Sequence, residues 1–395
     1  MKYNHSFSSA NILLPKSNFE NWATIACDQY TSEPEYWEKA KSAAGDKPSA
    51  LNVILPEVYL SKDNSERINK INQNMQQYLD DGMFEEYPDA LIYVKRTQPD
   101  GRIRYGIVGK IDLECYDYRS GTDAEIRATE QTVLSRIPPR VEIRKDAPLE
   151  LPHVMLLFDD PENGVFSHCK SSENSFTKVY DFDLMCGGGH IEGYLLDDDA
   201  KRAVLSQLEI VKTQNDGFLF SVGDGNHSLA TAKECYNQNP TEASRYALAE
   251  IVNIHDDALD FEPIYRIVFG VDPENLLDEF QKYAGQGEQL FTCVYGDKVS
   301  SLKVNALSKL AVGTLQKFLD QYAESHPDIE IDYIHGEESL AKLASRPNAI
   351  GFMFAGMQKY ELFDAVNADG SLPRKTFSMG HADDKRFYIE ARKIK

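Results

Sequence analysis

Asp216-Gly-Phe-Leu-Phe-Ser-Val-Gly-Asp-Gly-Asn-His-Ser-Leu-Ala-Thr-Ala-Lys-Glu-Cys-Tyr236 is the stretch on which the reading of this chain turns. Phe218 to Val222 is an apolar run of strand length. From Ser228 onward, Leu229, Ala232 and Tyr236 recur on one face of a helix. Gly223-Asp224-Gly225-Asn226-His227 joins the two. Its glycines permit a tight turn at positive φ. The turn brings a carboxylate, an amide and an imidazole to a helix N-terminus. Free N–H groups and a partial positive charge there suit an anion such as phosphate. The same residues also suit a plain strand–helix turn, with Asn226 or Ser228 as the helix cap. Residue types alone leave the two readings level.

Working outward, 395 residues allow two or three domains, or one large two-lobed unit. The composition is that of a soluble globular protein, 42% hydrophobic and 27% charged. No apolar run nears the roughly 20 residues that a membrane helix needs. The opening residues lack the apolar core of a signal peptide, and the six cysteines form no Cys-x-x-Cys pair. A cytoplasmic protein with no membrane partner is expected. The net charge of −21 repels polyanions, and the short basic clusters lack interleaved aromatics. Nucleic acid is therefore not the expected partner. A small anionic or amino-acid substrate in a local positive pocket is compatible with this balance. The oligomeric state is not legible.

Upstream, Ser32 and Glu35 are spaced as a capping box before a helix through Lys41. Ser61 to Asp81 carries Ile68, Ile71, Met75 and Leu79 at helical spacing. Ala90 to Lys95 and Tyr105 to Leu113 predict two strands joined by a hairpin at Pro99-Asp100-Gly101. Residues 119–144 are polar and rich in guanidinium groups. They predict either a solvated surface or a phosphate clamp built from Arg127, Glu130 and Arg136. Asn163-Gly164 predicts a second hairpin turn. Cys186-Gly-Gly-Gly-His190 lacks the spacing of a dinucleotide fingerprint or a P-loop, and two ligand types make no metal site. A helix over 198–213 is capped by Asp197 or Asp198. The boundary is drawn at residue 270: a main α/β lobe over 1–270, and a smaller α/β lobe over 271–395 whose tail (346–395) packs back on the main lobe. The expected class is α/β with mixed sheets.

Four segments together resemble the bacterial domain-of-unknown-function family 1015: Glu125-Ile-Arg-Ala-Thr-Glu130, Gly223-Asp-Gly-Asn-His227, Ile331-Asp-Tyr-Ile-His-Gly336 and Pro373-Arg-Lys-Thr-Phe-Ser-Met-Gly380. Relatives carry Asp-Gly-His-His-Arg where this chain has Asp224 to Ser228, and that version resembles the nucleotide-binding motif of the ParB/sulfiredoxin-like superfamily. The resemblance implies a ParB/sulfiredoxin-like nucleotide-binding core in which Gly223, Gly225, Asn226 and Ser228 hold phosphates. His227 matches the second histidine of that motif. Asn226 replaces the first histidine and Ser228 the arginine, which removes a bidentate phosphate donor. Arg374, Lys375 or Arg127 is the expected replacement, with the Pro373 to Gly380 segment beside the loop. The motif lacks the cysteine of sulfiredoxin chemistry.

By the same resemblance the leading expectation is a phosphotransferase acting on free serine or a related hydroxy amino acid. A nucleotide (ATP or ADP) would be the donor, with Mg²⁺ as a candidate ion. Asp224, His227 and Glu130 are the catalytic candidates, Asp224 or Glu130 serving as base or Mg²⁺ ligand. Two other expectations stand beside it: a non-catalytic nucleotide switch of ParB type, and a metabolic protein binding some other anion.

Overall fold

The computed structural model describes residues 5–59 and 64–395. Contacts divide the chain into two units. The first comprises Met1–Ala128, Thr132–Leu259 and His381–Lys395; the second comprises Thr129–Gln131 and Asp260–Gly380. The chain thus leaves the first unit at residue 259 and re-enters it at 381. Both units mix helices with strands, so the α/β class with mixed sheets holds.

Among its described residues the first unit holds a ten-stranded sheet. Its centre is Met155–Phe158, parallel to Tyr246–Asn253 on one side and antiparallel to Phe220–Asp224 on the other. Met155 to Phe158 are each at most 1% exposed. An unbroken apolar run is what a strand covered on both faces requires. Farther out, alternation takes over. Ile92, Val94, Val108 and Leu248 join one apolar cluster, while Leu91, Tyr93, Ile107 and Ala249 join a second. Successive strand side chains point to opposite faces, so these clusters lie on the two sides of the sheet. The hairpin expected at Pro99-Asp100-Gly101 is present, pairing Ile92–Thr97 with Ile103–Asp112.

The second unit is built on a six-stranded sheet, with Phe261–Phe269 paired to Glu330–His335, Ala349–Met353 and Phe377–Met379. Helices Pro273–Ala284 and Ala311–Ser325 pack through stacked Phe280 and Phe318, ring centroids 4.6 Å apart. No helix among the described residues is long and apolar enough to cross a membrane.

Several local expectations are corrected. Asn163-Gly164 forms no hairpin; Asn163, at φ 53°, precedes the helix Gly164–Ser172. Helix Pro34–Ala44 starts without a side-chain cap, so Ser32 and Glu35 make no capping box. The helix expected from Ser61 is described as Ser65–Asp80, and Ser61 to Asp63 lie outside the described residues. The strand expected at Phe218 spans Phe220–Asp224. Neither Asn226 nor Ser228 caps the next helix: it runs Asn226–Gln238, and Gly225 holds the cap position with no side-chain cap bond. The helix therefore starts two residues before Ser228.

Candidate functional site

Gly225 fixes the geometry of the loop. Its φ is 85°, and a Cβ there would lie 3.0 Å from Val154 Cγ2 and 3.1 Å from the Val154 Cα. Both the left-handed conformation and the close approach to strand Met155–Phe158 demand glycine. The helix then begins at once. Its first ladder bond is Leu229 N–H to Gly225 O, 3.0 Å, so the N–H groups of Asn226, His227 and Ser228 stand outside the ladder.

The side chains around this helix start are incompletely partnered. Asp224 Oδ1 accepts the Gly225 N–H at 2.8 Å. Asp224 Oδ2 is shielded from solvent and makes no hydrogen bond; the Lys385 ammonium lies 3.4 Å from it, near enough for an ion pair but not in hydrogen-bond geometry. Asn226 Oδ1 and Thr132 Oγ1 are likewise shielded without a hydrogen bond. Buried polar atoms are normally bonded to protein or water, so the unbonded oxygens of Asp224 and Asn226, two residues apart, single out this helix start as a candidate site.

His227 is the best-defined group. Its Nε2 accepts the Val133 N–H at 3.3 Å, which places the ring proton on Nδ1. Burial, and then the charges of Arg140 and Arg136, push its pKa down to about 4. At neutral pH it is an uncharged Nδ1–H donor and a weak base. Ser228 Oγ lies 3.4 Å from His153 Nε2, and His153 Nδ1 lies 2.8 Å from the Tyr388 hydroxyl.

Cations near the loop within its own unit are thus Lys385, Arg136 and Arg140. Arg136 stood in the sequence-derived clamp, whereas Lys385 was missed. It lies 161 residues after Asp224 in sequence, and only the re-entry of the chain at 381 brings it back. The Asp383-Asp384-Lys385-Arg386 run is the one signal that pointed there. The segment is locked by its neighbours. Arg386 donates to Glu250 at 2.7 Å and Glu390 at 2.6 Å, and the carbonyls of Asp383 and Asp384 accept from Arg96 and Arg104 at 3.0 Å each.

The other sequence candidates are placed differently. Arg127, on the strand Ile126–Ala128, donates to Ala124 O at 2.8 Å and lies over the Phe218 ring, 4.2 Å from its centroid. Glu130, Arg374 and Lys375 belong to the second unit. Glu130 accepts the N–H groups of Lys375 and Thr376 at 2.9 and 3.0 Å, and burial raises its pKa. Gly223 is the penultimate residue of the strand Phe220–Asp224. Among the described residues no group of three or more His, Cys, Asp or Glu could hold a metal ion, and Cys186 with His190 makes none. Instead His190 pairs with Asp183 at 2.7 Å and Asp181 at 3.0 Å.

The four segments that suggested a family can now be set against direct comparison. The sequence model of the family described as "Protein of unknown function (DUF1015)" matches residues 9–383. The chain belongs to the DUF1015 family. No curated protein matches this DUF1015 chain. Among solved structures, a free serine kinase variant in complex with ADP is 12% identical, with 74% of this chain and 93% of that chain covered and a TM-score of 0.42. A free serine kinase in complex with AMP is 14% identical, covering 73% and 92%, with a TM-score of 0.42. A conserved hypothetical protein from Pyrococcus furiosus is 12% identical, covering 73% and 95%, with a TM-score of 0.38.

Proposed function

We propose that the start of helix Asn226–Gln238 holds the phosphates of a nucleotide, ATP or ADP, and that the protein is a phosphotransferase acting on a small hydroxy amino acid such as free serine. One observation carries the reading. A 13-residue helix starts directly at a left-handed glycine, with three N–H groups outside its ladder and unbonded polar atoms around them. That arrangement suits a phosphate in both charge and hydrogen bonding.

In this reading each residue has a distinct task. The N–H groups of Asn226, His227 and Ser228 donate to phosphate oxygens. His227 adds its Nδ1–H. Lys385, together with Arg136 and Arg140, offsets negative charge, which replaces the arginine that the loop lacks. The role assigned to Lys385 needs only a modest move away from Asp224, because the two already sit at ion-pair distance. Asp224 is then released to accept the proton of the acceptor hydroxyl or to ligate Mg²⁺. A single carboxylate suffices for Mg²⁺ when phosphates and water fill the remaining positions. The bound nucleotide would supply the transferable phosphoryl group. With a pKa of about 4, His227 does not serve as the base at neutral pH.

The test is incubation with ATP or ADP and free serine, followed by ³¹P NMR. A new phosphomonoester resonance supports transfer. Nucleotide-dependent stabilisation without turnover leaves the binding site and removes the transferase. Absence of any nucleotide effect sinks both.

A further inference from the structure

Ser228 is the third residue of helix Asn226–Gln238. Helical Cα–Cβ bonds tilt toward the N-terminus, and from the third position a side chain reaches back to the helix start. The Ser228 hydroxyl therefore leans toward the place where the free N–H groups would hold a phosphate. It is only half-buried, and with His153 and Tyr388 it lines a cavity of about 160 Å³. A water's share of liquid volume is about 30 Å³, so the hydroxyl has open space beside it.

His153 faces this hydroxyl, its Nε2 lying 3.4 Å from Ser228 Oγ. The ring is buried and packs against the cradle: a Cβ on Gly225 would lie 3.5 Å from its Cδ2. Tyr388 fixes its orientation, with the hydroxyl 2.8 Å from Nδ1 and the two rings edge to face at 87°. That hydroxyl also accepts the Cys27 N–H at 3.3 Å and bonds the Cys27 side chain. With the tyrosine proton directed to the sulfur, His153 Nδ1–H donates to the tyrosine oxygen, and Nε2 keeps its lone pair for the Ser228 hydroxyl. A hydroxyl bonded to an imidazole whose other nitrogen is held by a third group is the arrangement of an activated nucleophile. Direct transfer from nucleotide to amino acid leaves this pair without a task.

We propose that Ser228 is itself phosphorylated by the bound nucleotide, so that transfer passes through a phosphoserine at this position. The Ser228 oxygen attacks the terminal phosphorus. The Oγ–P bond forms as the bond from that phosphorus to the bridging oxygen breaks, and the shortened nucleotide (ADP from ATP, AMP from ADP) leaves with the electron pair. The Ser228 proton goes to His153 Nε2, and Asp28 Oδ2, 3.7 Å away, faces the imidazolium so formed. The amino-acid hydroxyl then attacks the phosphoserine and gives its proton to Asp224, while the departing Ser228 oxygen recovers its proton from His153. The proposal rests on the phosphate reading for its donor.

Rapid-quench incubation of the full chain with ATP or ADP, read by intact mass and peptide mapping, tests it. One phosphoryl group on Ser228 is expected, and added serine should discharge it as free phosphoserine appears. Ser228→Ala should abolish both label and transfer, and Ser228→Thr should restore part of each. His153→Gln should slow labelling about 100-fold. Tyr388→Phe, which loses only the hydroxyl that positions the imidazole, should slow labelling severalfold with ADP affinity unchanged. Transfer to serine without a label on Ser228, or at the wild-type rate in Ser228→Ala, overturns the proposal and leaves the phosphate reading standing. A Ser228 label that serine leaves in place supports the phosphorylated protein and removes serine as its acceptor. If neither nucleotide binds, the phosphate reading falls and this proposal falls with it.

Discussion

Glu130 and Asp224 are two carboxylates in polar turns of similar appearance in sequence, yet their surroundings differ. Glu130 accepts two backbone N–H groups, and the turn it holds is closed on itself. Carbonyls of Arg374 and Lys375 accept from the buried Arg266 guanidinium at 3.1 and 3.0 Å, and both side chains lie over the Tyr333 ring. Asp224 accepts one N–H, and its other oxygen makes no hydrogen bond. Asn226, two residues on, also keeps a shielded oxygen unbonded. In the first turn the polar chemistry is consumed by the fold; in the second it is left open. A polar glycine-containing motif in sequence therefore says little until its hydrogen bonds are counted.

That contrast can be broken at either end. The largest effect is expected from Gly225→Ala, which forces a side chain into the left-handed region and against Val154. Nucleotide binding should vanish and the melting temperature should fall; binding that survives would show that the helix start is not the cradle. Glu130→Ala removes the acceptor of two N–H groups and should cost about 2 kcal/mol in urea unfolding, with nucleotide affinity unchanged. A loss of affinity at equal stability would reverse the assignment of the two turns. Lys385→Met should weaken ADP about tenfold, close to 1.4 kcal/mol, while stability moves little.

Smaller changes sharpen the comparison. Arg374→Ala loses a ring contact and the hydrogen bond that its Nε donates to the Tyr333 hydroxyl at 2.8 Å, and should cost about 1 kcal/mol with no effect on ADP. His227 gives a pH signature. Its pKa is about 4 in the folded chain against an ordinary 6.5, so the unfolded chain takes up the proton first. Stability should decline as pH falls from about 6.5 to about 4 and then level off. His227→Asn should flatten that part of the profile, and an unchanged slope would assign it to other groups.

The sequence made the α/β class legible because apolar runs and amphipathic spacing are local signals. The hairpin at Pro99-Asp100-Gly101 and the Asp197 cap of helix Asp198–Gln214 are of the same kind, each fixed within a few residues. Helix starts were read less well, since Ser32, Asn226 and Ser228 are cap-forming residues in no cap position. Glycine 225 took the cap through backbone geometry that no side-chain preference announces. Lys385 was not legible at all, because its place beside Asp224 depends on a return of the chain after residue 380.

That return has a consequence in time. The loop at 223–228 leaves the ribosome before any of residues 260–380, but Lys385, Arg386 and Tyr388 follow them. At roughly 5–20 residues per second, a nascent chain carries the loop for about 8–30 seconds without its lysine and without the tyrosine that meets His153. Glu250 must wait in the same way for its ion-pair partner Arg386. The first unit is therefore begun first and completed last, and translation of the second unit sets the delay before the site can take its charge.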